Sequence, residues 1–336
     1  MNNFAQAPTL LDIRQVSVDY VSRDNPPAHA VSDVSFVLRE GEMLGLVGES
    51  GCGKTTLMLS LMRLLPAAGR IVSGQVNFMG RDLLDLSEKE MADVRWKNIA
   101  MIFQGAMNAL NPVQTVGDQI AEAIIQHNIA NDRSSVNDRV SELLELVGIA
   151  ASRQKDYPHQ YSGGMRQRAM IAMALACFPQ VVIADEPTTA LDVMVQAQIL
   201  ELLNRLREKL GLAVVLVTHD LAVVAEVCDT VLVMYGGVTA EYADVDTIFN
   251  RPQHPYTRQL LQAFPDITRA GSTLAAIPGY PPRLDALPAG CRFAPRCPQA
   301  VARCHLEQPP LYQLGGDHTA SCFLLEANNP AGTGTP

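Results

Sequence analysis

No apolar run in these 336 residues reaches the roughly 18 needed to span a bilayer. The longest candidates are broken by Pro179, by His219-Asp220, and by Glu226 and Asp229. The opening MNNFAQAPTL lacks the basic start and the apolar segment of a secretory signal. Charge is scarce at 18 % Asp, Glu, Lys and Arg, and its balance is −9 at neutral pH. That balance argues against a general nucleic-acid binder. No internal repeat is found, and no two cysteines are two to four residues apart. These absences describe a soluble chain. Its 48 % hydrophobic residues supply a sizeable core and suit docking on an apolar partner. The length fits one large domain with an extension.

The seven cysteines are unevenly spread. An odd number without a signal peptide reads as a reducing compartment. Cys52, Cys177 and Cys228 read as small buried hydrophobes. Cys291, Cys297, Cys304 and Cys322 crowd the end of the chain with the spacing C-x5-C-x6-C-x17-C. Four thiolates can hold a tetrahedral Zn²⁺ or a [4Fe-4S] cluster, with free or disulfide-bonded thiols as the remaining alternative. Zinc sites favour closer pairs, and the compartment argues against disulfides.

Strand signals dominate the start. Leu11, Ile13 and Val18 lie in a run ending near Tyr20, and Val34, Phe36 and Leu38 alternate with polar residues. Met43 to Val47 is a short apolar run that feeds a glycine loop, and Leu57 to Leu65 reads as a buried helix. The pattern turns helical from about Asn111 to Gly148, with Gly148 placed to stop the second helix. Strands return at Val181–Ala184, Ala213–Val217 and Val231–Met234. Beyond about residue 250 proline becomes frequent, and the final ANNPAGTGTP reads as disordered.

Gly48-Glu49-Ser50-Gly51-Cys52-Gly53-Lys54-Thr55 fits G-x-x-x-x-G-K-[ST] completely, in the strand–loop–helix order that a phosphate loop needs. Its glycines let backbone N–H groups turn inward, and the following helix adds its positive end. Lys54 then reaches the β- and γ-phosphates of ATP, Thr55 ligates Mg²⁺, and Thr56 lies beside it. Asp185 ends an apolar strand, where a carboxylate can hold Mg²⁺, and Glu186 is the natural general base for an attacking water. His219 ends another strand at the same sheet edge. There it can bridge the γ-phosphate and the base, or it is a structural strand-end histidine.

These residues together resemble the ATPase subunit of ABC transporters over about residues 9 to 250. The phosphate loop, Gln104 after Met101-Ile102-Phe103, Tyr161-Ser162-Gly163-Gly164-Met165, Ala184-Asp185-Glu186-Pro187, Ala190-Leu191-Asp192 and Thr218-His219-Asp220 occur in that family's order. The commonest family signature reads L-S-G-G-Q, so Tyr161 and Met165 depart from it. The resemblance implies an α/β P-loop NTPase (ABC ATPase) core with an N-terminal antiparallel β-subdomain and a helical insert at about 105–165. It implies that Tyr20 stacks on adenine and that Gln104 senses the γ-phosphate and Mg²⁺. It also implies that Ser162, Gly163 and Gly164 close over a partner's ATP, with Asp192 at the seam.

His254-Pro255-Tyr256-Thr257, Gly290-Cys291-Arg292-Phe293 and Arg296-Cys297-Pro298 resemble the extension of the oligopeptide/dipeptide/nickel importer branch, D-type. The expected division is 1–250 for the ATPase, 251–325 for a small, irregular, cysteine-ligated extension and 326–336 for a disordered tail. The resemblance implies a [4Fe-4S] cluster at the four terminal cysteines. It implies a second, F-type ATPase, two permeases and an extracytoplasmic binding protein as partners, and no nucleic acid. The place of work is then the cytoplasmic side of the inner membrane, peripherally, and the reaction is ATP hydrolysis coupled to import of di- or oligopeptides. Nickel chelates, glutathione and oligosaccharides are the branch's alternative cargoes. A soluble ABC-type ATPase of DNA repair or translation is the competing class, but such proteins tend to carry coiled coils, tandem ATPase domains or basic arms, which this chain lacks.

Overall fold

The computed structural model describes residues 4, 6–22, 26–103, 105, 109–263 and 277–328. The chain opens with β1 (Thr9–Tyr20) and β2 (Ala28–Arg39), which pair antiparallel, and then passes into β3 (Met43–Val47) of a second sheet. β4 (Gly69–Phe78) and the short β5 (Arg81–Asp82) return to the first sheet, whose order is β2-β1-β4-β5. The second sheet collects β6 (Ile99–Ile102), β7 (Val181–Asp185), β8 (Ala213–Val217), β9 (Thr230–Tyr235) and β10 (Val238–Asp244). Two late strands, β11 (Tyr312–Gly315) and β12 (His318–Ala320), complete it in the order β11-β12-β10-β9-β3-β8-β7-β6.

The strands β9, β3, β8, β7 and β6 run parallel. Such strands are covered on both faces, which is why β3, β7, β8 and β9 are buried at every residue and read as unbroken apolar runs. Alternate residues serve opposite cores. Val214 and Leu216 of β8 face a core shared with helices, whereas Val215 and Val217 join the core under the antiparallel sheet.

The helices are α1 (Lys54–Leu61), α2 (Glu88–Val94), α3 (Val116–Gln126), α4 (Arg133–Leu146), α5 (Gly163–Ala174), α6 (Val193–Leu210), α7 (Leu221–Val227), α8 (Val245–Asn250) and α9 (Pro255–Gln262). Gly53, at φ 100°, starts α1 at Lys54, earlier than the expected Leu57, and Met62 closes it. Asp132 caps α4, and Gly148 at φ 79° follows its end as the sequence suggests. α3, α4 and α5 pack together on the β6 edge of the sheet, whereas α1 packs on β1, β2 and β7. Phe323–Asn328 forms a 3₁₀ turn that carries the first residues of the expected tail. Residues 329–336 lie outside the described residues.

Among the described residues no helix is long and apolar enough to cross a membrane.

Candidate functional site

The buried strand β3 delivers the chain to Gly48, and the loop's shape rests on two glycines. A Cβ at Gly48 would lie 2.2 Å from the Met234 carbonyl oxygen, and one at Gly53 would lie 2.2 Å from that of Ala30. Only glycine fits such close backbone approaches. Lys54 is 7 % exposed, and its ammonium donates to the carbonyls of Gly48 at 2.7 Å and Glu49 at 3.0 Å. Cys52 is buried beside it, whereas Ser50, Gly51 and Thr55 are exposed along the loop. The hydroxyl of Tyr20 meets that of Thr56 at 3.3 Å, so the end of β1 reaches the first turn of α1.

Asp185 ends β7 with 2 % exposure, and its Oδ1 has no hydrogen-bond partner among the described residues. Burial pushes its carboxyl above the usual carboxylate range; a hydrogen bond with Thr55 opposes this, the charge of Glu186 adds to it, and the Lys54 ammonium opposes it. A buried carboxylate oxygen left unsatisfied beside a threonine hydroxyl is an oxygen donor set that suits a hard cation such as Mg²⁺.

Glu186 follows at φ 45°, a left-handed conformation uncommon outside glycine, held by its N–H bonding the Val217 carbonyl at 2.9 Å. Its carboxylate accepts from the Thr189 hydroxyl at 3.0 Å and stands 3.4 Å from Nδ1 of His219. The His219 side chain is 71 % exposed, so its ring is not a core residue. Thr189 was not singled out by the sequence, because a threonine in a turn carries no signal of its own.

Ser162 is exposed and caps α5 by accepting from the Met165 N–H at 3.3 Å. Gly163 and Gly164 form the first turn of that helix, and a Cβ on Gly164 would lie 2.8 Å from Val195 of α6. Tyr161 is buried, and its hydroxyl donates to the Arg153 carbonyl at 3.0 Å. Asp192 caps α6 by accepting from the Val195 N–H at 3.0 Å. Val193 and Met194 beside it are 81 % and 72 % exposed. The structure thus gathers Lys54, Thr55, Asp185, Glu186 and His219 at the C-terminal ends of the parallel strands β3, β7 and β8, while Ser162 and Asp192 start helices that pack on each other. Gln104 lies outside the described residues.

Two residues that sequence reasoning did not assign to the site, Tyr256 and Arg296, touch the phosphate loop at Glu49. The carboxylate of Glu49 takes Arg296 Nη1 at 2.6 Å and Nη2 at 3.0 Å, and its N–H donates to the Tyr256 hydroxyl at 3.0 Å. Tyr256 belongs to the quoted His254–Thr257 motif, but nothing in the sequence says what it meets.

The four terminal cysteines line one small cavity of about 10 Å³. Phe293, Ala294, Phe323 and Leu324 share its wall, and the Cys291 N–H donates to the Cys304 carbonyl at 2.8 Å. All seven cysteines are free thiols, and Cys52, Cys177 and Cys228 are buried as expected. Among the described residues no three His, Cys, Asp or Glu side chains stand close enough to hold a metal ion. The expected ligand set is therefore gathered in one place but not drawn to ligand spacing. Burial pushes the Cys291 thiol up to about 11, and neutral thiols pack as small apolar groups with nothing to pull their sulfurs together.

The chain matches the ABC transporter family over residues 31–189, and the oligopeptide/dipeptide transporter C-terminal region over residues 240–304. Among solved structures, it is similar to a dimeric, post-hydrolysis ATP-binding cassette bound to ADP and Pi, MJ0796. That likeness has a TM-score of 0.63 and 28 % identity over 70 % of this chain and 99 % of that one. The chain is also 49 % identical to a probable peptide ABC transporter ATP-binding protein of Sinorhizobium fredii, over 96 % of this chain and 97 % of the relative. It is 47 % identical to the oligopeptide transport ATP-binding protein OppD of Escherichia coli, over 95 % and 94 %. It is 46 % identical to the dipeptide transport ATP-binding protein DppD of the same organism, over 96 % and 99 %. The fold and the site define an ABC transporter ATPase. Within that class, the chain belongs to the family of peptide-transport ATP-binding proteins.

Proposed function

We propose that this chain is the ATP-hydrolysing subunit of a membrane importer of di- or oligopeptides. The observation that carries the reading is the joining of Lys54, Thr55 and Asp185, whose Oδ1 is unsatisfied, to Glu186 and His219 at the C-terminal ends of neighbouring parallel strands. The peptide-transport names of relatives matched along nearly the whole chain support the cargo. The phosphate-loop N–H groups and the positive end of α1 receive the β- and γ-phosphates of ATP. Lys54 leaves the carbonyls of Gly48 and Glu49 for the phosphate oxygens. Thr55 and Asp185 would hold Mg²⁺, which would neutralise phosphate charge when bound, and Gln104 would sense the γ-phosphate and the ion. Glu186 accepts the proton of the attacking water, Thr189 and His219 orient its carboxylate, and Tyr20 packs on adenine. Catalysis is then positioning plus charge stabilisation at the transferring phosphoryl.

Ser162, Gly163 and Gly164 close over the ATP of a second ABC ATPase, an F-type relative, in a head-to-tail pair. The exposed Val193 and Met194 beside Asp192 support a protein contact at that seam. The pair acts beneath two permeases, on the cytoplasmic face of the membrane, with an extracytoplasmic binding protein above. Residues 1–250 form the ATPase, with the helical insert at about 105–165, and 251–325 the extension. The convergence of four thiols on one cavity supports a [4Fe-4S] cluster there, its role being to hold the irregular segment together. Anaerobically purified protein should contain iron and acid-labile sulfide; stoichiometric zinc in colourless protein would replace the cluster by Zn²⁺. For transport, vesicles carrying the assembled importer should take up labelled peptide only with internal or external ATP on the side of this subunit. Uptake of nickel chelate, glutathione or oligosaccharide instead would change the cargo. Tight nucleic-acid binding without membrane association would overturn the reading.

A further inference from the structure

Glu49, the second residue of the phosphate loop, has every polar group engaged, and two of its partners lie 207 and 247 residues further along the chain. Its carbonyl accepts from Lys54 at 3.0 Å. Its N–H donates to Tyr256, a ring with no exposed surface. Its carboxylate is taken end-on by the guanidinium of Arg296, a side chain only 5 % exposed. Arg296 uses its other donors on the carbonyls of Pro278 at 2.7 Å and Ile277 at 3.3 Å and on the Tyr235 hydroxyl at 3.2 Å. All five guanidinium hydrogens therefore have partners. The rings of Tyr235, Tyr256 and Phe293 pack with centroids 4.5 to 5.4 Å apart around this contact. Arg292 fastens the same segment beside them, to Ser32 Oγ at 2.7 Å and to the Gly236 carbonyl.

One of these bonds acts on the lysine. The N–H that Tyr256 holds and the Gly48 carbonyl that Lys54 holds belong to the same peptide unit. A trans peptide is planar, so fixing its N–H fixes the direction of its C=O. The adjoining peptide begins with the Glu49 carbonyl, the second Lys54 acceptor, and the Arg296 pair holds that residue's side chain. The extension thus sets the first of the two carbonyls on which Lys54 rests and holds the side chain of the residue that carries the second.

We propose that Arg296 and Tyr256 are positioning residues of the nucleotide site, by which the C-terminal extension holds the entry of the phosphate loop in the form that accepts the phosphates of ATP. The inference rests on the ATPase reading above. It makes the His254–Thr257 and Arg296–Pro298 motifs part of the ATP site and not only of a separate appendage.

The test uses the full-length chain for ATP binding and the assembled transporter for turnover. Tyr256→Phe keeps the ring and removes one hydrogen bond; it should raise the KM and the Kd for ATP about 5-fold, with kcat nearly unchanged. Arg296→Lys keeps the charge and loses the two-pronged grip; it should raise them on the order of 10-fold. In a Glu49→Gln background the Arg296→Lys change should add little, because the two residues act through one contact. Wild-type KM and Kd in variants that fold, even with a lowered melting temperature, would reduce the contact to a structural fastening and overturn the proposal. So would fully additive effects. Failure of the unaltered chain to bind ATP would instead refute the ATPase reading itself.

Discussion

Two glycines of the phosphate loop should differ sharply in what they tolerate. At Gly53, φ is 100° and an added Cβ would sit 2.2 Å from the Ala30 carbonyl oxygen, a backbone atom of β2. Ordinary contact needs about 3.4 Å, so one backbone must move by about 1 Å in a region packed like a crystal. The backbone strain alone is about 1–3 kcal/mol. With the steric term, Gly53→Ala should cost about 3–5 kcal/mol, released by turning the loop's N–H groups away from the phosphates. At about 1.4 kcal/mol per factor of ten, that is roughly 150- to 4,000-fold in ATP affinity. At Gly51, φ is 77° and a Cβ meets no protein atom within 4 Å. Gly51→Ala should therefore cost only the left-handed conformation, about 1 kcal/mol, or roughly 5-fold. Titration calorimetry of both variants with Mg·ATP, alongside circular dichroism for folding, makes the comparison. Near-normal binding by Gly53→Ala, or equal damage at both positions, would refute the steric argument.

Glu186→Gln should slow ATP hydrolysis on the order of 10²–10⁴-fold while leaving ATP affinity intact; turnover within tenfold of normal would remove Glu186 from the role of base. Asp192→Asn preserves the cap of α6, whereas Asp192→Ala loses it at a cost of about 1 kcal/mol, seen as a melting temperature lower by a few degrees. If Asp192 also serves the seam by its charge, both changes should weaken ATP-dependent pairing in sedimentation; an Asn variant that pairs normally confines the residue to capping. Leu144→Ala, at a site with no exposed surface between α4 and its neighbours, should cost about 2–5 kcal/mol yet leave ATP binding at Lys54 unchanged.

The phosphate loop was legible because its chemistry is local. Met43–Val47 must be a buried parallel strand to be apolar at each step, and the glycines and Lys54 follow it within eight residues. Asp185 was legible for the same reason, as a charge ending such a strand. The start of α1 was misjudged because Gly53 begins the helix through a left-handed conformation that composition does not display. The φ of Glu186 and the cap made by Asp192 are also conformational facts with no compositional trace. The four thiols were read as a ligand set from type and number. Their apolar cavity depends on the folding of residues 291 to 324 around one another and against His254 and Pro255, which spacing does not specify. The pairing of Glu49 with Arg296 joins residues 247 positions apart, and single-sequence patterns carry no information at that range.

The strands β11 and β12 place the last part of the chain on the edge of the sheet that begins with β3. Without them β10 would present a bare row of backbone groups, the kind of edge that recruits other chains. Glu241 of β10 has no exposed surface, and its carboxylate is satisfied by the N–H groups of Gln253 and His254 and by His318 at 2.9 Å, all residues that follow it. During synthesis, then, the phosphate loop emerges early, but its Glu49 is left ungripped until Arg296 is made and its sheet unsealed until residues 312–320 follow. A product stopped before Tyr312 carries the nucleotide motifs together with an open β10 edge and a Glu241 that keeps the N–H groups of Gln253 and His254 but lacks His318, and it should aggregate more readily than the longer chain.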